Sequence, residues 1–104
     1  MKKNIKIKLE EKHYSCDIES IDDQNLKVEL SENDSLKFNG NLNLKDIYAQ
    51  LKEFSNYSIE DIFSVLDDLV GENFNIIKES DKYKLDISIK VIKKIKHLFI
   101  NSCN

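Results

Sequence analysis

The sequence predicts an α+β fold: a small, bent antiparallel β-sandwich or half-barrel of six to seven strands, with a helical hairpin inserted between strands 4 and 5. Three observations carry this expectation. Apolar residues alternate with polar ones from Ile5 to Phe38, recur at helical spacing from Leu44 to Val70, and alternate again from Phe74. The 104 residues make a single domain, 1–104, with strands across 4–39, a helical hairpin at 43–70 and strands across 73–100.

In the first part, Ile5, Ile7 and Leu9 alternate with Lys6, Lys8 and Glu10, the pattern of a half-buried strand. After "EEK", Tyr14, Cys16 and Ile18 form a second strand. Turn clusters "DDQN" and "SEND" then bracket a third, carrying Leu26, Val28 and Leu30, and Leu36 and Phe38 follow as a fourth. Linkers this short join antiparallel neighbours, because parallel ones need long crossovers.

At Gly40 the period changes. Asn43 is placed to cap a helix with Asp46 at its third position, and Leu44, Ile47, Tyr48, Leu51 and Phe54 then share one face. Ser58 caps a second helix, again with an aspartate three residues on, Asp61. Its stripe is Ile59, Ile62, Phe63, Leu66, Leu69 and Val70, and Gly71 stands where a left-handed cap is expected. Beyond it, Phe74 and Ile76 lead through "KESDK" to Tyr83, Leu85, Ile87, Ile89 and Val91. The last segment, "VIKKIKHLFI", fits either a helix face or a strand and is read as a strand.

Composition bounds the function. Hydrophobic residues make up 40 % and charged residues 34 %, and no apolar run exceeds three residues, so neither a membrane span nor a signal peptide is expected. Cytoplasmic is the expected location, with cytoskeletal association or the nucleus left open. The two cysteines, Cys16 and Cys103, are read as reduced thiols.

No arrangement of residues names a reaction. His13, Cys16 and Asp17 are the first candidate metal set, but His13 and Cys16 fall on opposite faces of an alternating strand; His97 and Cys103 are the second. No glycine-flanked nucleophile and no phosphate loop is present, so the protein is expected to be no enzyme and to hold no cofactor. Read as a DNA-recognition helix, residues 58–70 would present Glu60, Asp61, Ser64, Asp67 and Asp68. That acidic face is repelled by phosphates. All sixteen basic residues are lysine, gathered towards the two ends of the chain. They leave a nucleic-acid-associated, winged-helix-like module as the alternative reading. The candidate partner anchors are Tyr57, between the helices, and Tyr83, flanked by Lys82 and Lys84.

From "LKFNGNLNLKDIYAQL" through "SIEDIFSVLDDLV" to "FNIIKESDKYKLDISI", the order of elements resembles the globular head shared by centriolar cartwheel scaffolds and the scaffold of non-homologous end joining. The resemblance implies a bent β-sandwich with a helix-turn-helix between strands. It also implies a non-enzymatic, protein-binding or self-associating role in a cytoskeletal, centriolar or repair assembly. In the cartwheel proteins an apolar residue in the loop of the late hairpin enters a pocket on a neighbouring head; Tyr83 lies nearest to it here. Those heads continue into a coiled coil. No heptads follow "VIKKIKHLFI", so the chain is read as a free-standing head or a fragment of a longer protein.

Overall fold

A computed structural model describes residues 1–102. Seven strands are formed: β1 (Lys2–Leu9), β2 (Lys12–Ser20), β3 (Asn25–Glu32), β4 (Ser35–Asn43), β5 (Phe74–Glu79), β6 (Lys82–Val91) and β7 (Lys94–Asn101). They make two antiparallel sheets, ordered β1-β2-β3-β4 and β5-β6-β7. Between β4 and β5 lie α1 (Leu44–Gln50) and α2 (Ile59–Asp67), with one-turn 3₁₀ segments at Lys52–Phe54 and Gly71–Asn73. The mixed class and the helical insertion between strands 4 and 5 are therefore as expected.

Alternation decides which face each strand buries. In the first sheet the register sets Ile5 beside Cys16 and Leu30, and Ile18 beside Val28 and Gly40; the residues between them face solvent. The second sheet buries Phe74, Leu85, Ile87, Ile89, Leu98 and Ile100. Both sheets and the helices share a single apolar cluster, which Ile47, Leu51, Phe63 and Leu66 complete from the helical side.

Both helices begin as their sequences dictate. The Asn43 side chain accepts from the Lys45 amide and the Asp46 carboxylate accepts from the Asn43 amide; the Ser58 hydroxyl accepts from the Asp61 amide and the Asp61 carboxylate from the Ser58 amide. Their ends differ from expectation. The first helix stops at Gln50 and Phe54 is buried from a 3₁₀ turn. The second ends at Asp67, so Val70, expected in its apolar stripe, is 59 % exposed.

Gly71 is not a left-handed cap, since neither glycine has positive φ. It is needed for close approach: a Cβ there would stand 2.5 Å from the Lys6 carbonyl oxygen of β1. Gly40 does not end its strand either. β4 runs on to Asn43, and Gly40 leaves the space into which β7 leans, with a Cβ meeting the Asn101 carbonyl oxygen and Ile100 Cγ2 at 2.9 Å. At Gly71 the turn before β5 lies against β1, and at Gly40 β7 lies against β4.

Candidate functional site

The segment that sequence periodicity left ambiguous is a hairpin. β6 and β7 pair from Lys84 with Asn101 to Val91 with Lys94, and Ile92 and Lys93 form the loop. Neither residue is a usual turn former. Ile92 adopts φ 58° and is 87 % exposed; Ile95, three residues on, is 68 % exposed. A β-branched side chain in the left-handed region is strained, and strain of this kind gathers at functional sites.

Lys90, Lys93, Lys94 and Lys96 lie near this apolar tip, and Lys82 and Lys84 lie at the far end of β6. Between residues 82 and 101 lie six lysines and one carboxylate, Asp86, whose Oδ1 sits 2.8 Å from His97 Nδ1. His97 stacks on Phe99 with ring centroids 6.0 Å apart, and the Lys84 ammonium lies 5.4 Å from the Phe99 centroid. Ile95, His97 and Phe99 therefore make one exposed row along β7.

β7 is an edge strand, and part of its edge is occupied. Gln50 Nε2 donates to the Phe99 carbonyl at 3.0 Å, and the Phe99 amide donates to Gln50 Oε1 at 2.7 Å. Lys96 is tied to Glu53, and that hydrogen bond, with the nearby positive charge, holds the Glu53 carboxyl below its ordinary range. α1 and the turn after it thus fasten β7 from outside the sheet.

The sequence-derived anchors occupy other places. Tyr83 opens β6 half-buried against the core, and its carbonyl accepts from the Ser102 amide. Tyr83 and Lys82 line a shallow depression of about 370 Å³ with Leu36, Phe38 and Asp81. Lys84 reaches Glu79 at 3.5 Å and lies on the Phe99 side of the sheet. Tyr57 has no part in that depression; it packs on Phe54 with centroids 4.7 Å apart, and its carbonyl accepts from the Tyr48 hydroxyl at 2.6 Å. The structure brings Lys82 and Tyr83 together and leaves Tyr57 in the helical link.

Cys16 is fully buried beside Ile5 and Leu30, while His13 and Asp17 are exposed. Burial, with a smaller contribution from the Asp17 charge, pushes the Cys16 thiol up to about 12 from 9.0. That thiol is an inert core group at neutral pH. Among the described residues no three His, Cys, Asp or Glu side chains gather as metal ligands; Cys103 lies outside them. The outer face of α2 exposes Glu60, Asp61, Asp67 and Asp68, with Asp67 3.3 Å from Lys3.

Sequence reading missed Ile92, Ile95 and Phe99 as surface residues. The available signal was "VIKKIK": two alternating runs that can meet only if an isoleucine and a lysine turn the chain.

These features define a small α+β protein of two antiparallel sheets with a helical insertion and an exposed basic, apolar hairpin. No helix among the described residues is long and apolar enough to cross a membrane. No protein-family model matches the chain, and no curated protein matches it.

Proposed function

We propose that the chain is a non-enzymatic scaffold head that works by protein–protein contact, its two sheets closing as a bent sandwich around the inserted helices. The contact is centred on the tip of the β6–β7 hairpin. The observation that carries this reading is Ile92, 87 % exposed at φ 58°. The conformation costs on the order of 1–3 kcal/mol. Asparagine or glycine would occupy the turn with less strain, so an apolar group there is accounted for by what it touches. Burying it against a partner would return roughly 2 kcal/mol. The lysine rim would set which partner is accepted.

A cytoskeletal, centriolar or repair assembly as the setting rests on the resemblance in element order. In this reading the apolar residue of the hairpin loop is Ile92, in place of Tyr83, which is committed to the core edge. Lys82, Tyr83 and Lys84 stand at the opposite end of β6, outside the tip contact, and Tyr57 supports the helical link.

The test is the solution mass of the purified chain over a concentration series, at low and high salt, with Ile92→Asp beside it. Reversible association that the variant abolishes supports a self-associating head. A chain that stays monomeric at every concentration overturns self-association. The six lysines of the hairpin favour one second reading, contact with nucleic-acid backbone. Binding to DNA or RNA that falls steeply with log salt would select it.

A further inference from the structure

We infer that the outer half of the β7 edge is a strand-addition site for an acidic, extended peptide segment, captured through the backbone of Ile95 and His97. The inference rests on the hairpin being a protein-binding element and names the partner's chemistry.

The ladder fixes which backbone groups are free. Ser102 donates to the Tyr83 carbonyl, which marks residues 83 and 102 as a hydrogen-bonded pair. Alternation then makes 85 with 100, 87 with 98 and 89 with 96 the bonded pairs of the same ladder. The amides and carbonyls of Ile95, His97 and Phe99 therefore point away from β6. Phe99 confirms this parity, because both of its groups are taken by the Gln50 amide. Among the described residues, none bonds the outward amide or carbonyl of Ile95 or His97. Gln50 thus occupies the place of an added strand at one position and stops short of the next two.

An incoming strand continuing from Gln50 would gain up to four backbone bonds at these two residues. Its side chains on the outer face would lie beside Ile95, His97 and Phe99, which favours an apolar residue. Charge selects the rest. Lys84 and Lys96 are paired with Glu79 and Glu53, while Lys90, Lys93 and Lys94 beside this edge have no ion-pair partner among the described residues, and Asp86 is held by His97. A second copy is a poor occupant of the edge. Its lysine-rich strands β1 and β7 would set like charges opposite one another. An acidic segment carries the complementary sign.

The probe is a fluorescein-labelled peptide of alternating glutamate and valine. It is compared with the same peptide N-methylated at every residue, which keeps the charge and blocks both edges against pairing. Anisotropy gives the affinity, and amide shifts give the location. The expected result is binding that shifts Ile95 and His97 most, with N-methylation weakening it about tenfold or more. His97→Pro should weaken it similarly. Its lost amide faces away from β6, so the pairing of the hairpin survives. Should that variant misfold, the N-methylated peptide on the unmodified chain still decides.

Equal affinity for the two peptides, no binding at millimolar peptide, or shifts confined elsewhere would each overturn the proposal. Ile92→Asp separates it from self-association through the tip: peptide capture that persists in a variant unable to self-associate leaves the edge site standing alone.

Discussion

Gln50 holds Phe99 by both of its backbone groups, accepting from the amide at 2.7 Å and donating to the carbonyl at 3.0 Å. A side-chain carboxamide presents an acceptor oxygen and an N–H side by side, so it can close one position of an open edge. The two residues are 49 apart in sequence, and the bond ties the helical insertion to the last strand.

Gln50→Ala should therefore cost about 1–2 kcal/mol, since two hydrogen bonds of roughly 1 kcal/mol each go to water. Chemical denaturation gives the total. Amide exchange gives the location: Phe99 should lose protection while Leu98 and Ile100, bonded to β6, keep theirs. Uniform loss of protection along β7 would show that the amide pair is not the local clamp.

Gly71→Ala should destabilise by about 1–3 kcal/mol, because a Cβ 2.5 Å from the Lys6 carbonyl oxygen must push β1 or the 3₁₀ turn aside. Alanine at Gly40 acts on another joint, parting β4 from β7. The two losses should add to within about 0.5 kcal/mol if the joints are independent. A thermal melt of both single variants and the double variant checks this.

Stability should fall in alkali through Cys16. Its folded pKa, about 12, lies above the ordinary 9.0, so the folded state keeps a proton that the unfolded chain gives up. The contribution is complete below pH 9 and is lost as pH rises towards 12, at up to about 1.4 kcal/mol per pH unit. Denaturation at stepped pH should show this slope, and Cys16→Val should remove it. Cys103→Ser in both chains leaves Cys16 as the only thiol read.

The Glu53–Lys96 tie responds to acid with the opposite sign. The Glu53 carboxyl is held below 4.5, so its support of β7 is present above that value and fades as pH falls further below it. Protection factors of the β7 amides, which correct for the intrinsic slowing of exchange in acid, should fall on acidification in the unmodified chain and change less in Glu53→Gln. Equal acid sensitivity in both would assign the effect to other carboxylates.

Ile92→Asn should raise stability by about 1 kcal/mol while weakening any contact made by the tip, because asparagine tolerates positive φ. A melting temperature that drops instead would mean that the isoleucine packs within its own chain.

Most of the strand plan was legible because alternation has a single cause: every second side chain of Ile5–Leu9, Leu26–Leu30 and Tyr83–Val91 must enter the core. The helix starts were legible for the same local reason, since Asn43 and Ser58 act within four residues of themselves. What was hidden depends on distant partners. Gly71 looked like a helix cap, but its constraint comes from Lys6, 65 positions away. The turn at Ile92 was illegible because no turn residue marks it, and Val91, Ile92, Ile95, Leu98 and Phe99 also match a helix. The edge parity of β7 follows from its register, which periodicity alone does not supply.

The hairpin turns carry a consequence for the order of folding. Glu10, Glu11, Asn33, Asp34, Ser80 and Ile92 all take positive φ, and neither glycine serves these bends. Asn33 and Asp34 suit such a bend, but the turns at Glu10–Glu11, Ser80 and Ile92 are locally uphill and held by the ladder beside them, so they follow strand pairing and do not nucleate it. The capped helices, whose signals are local, are the better seeds. A turn that forms after the barrier is crossed leaves the folding rate alone when it is improved, and slows unfolding. A glycine placed at Glu11 would therefore lengthen the lifetime of the native state without hastening its arrival.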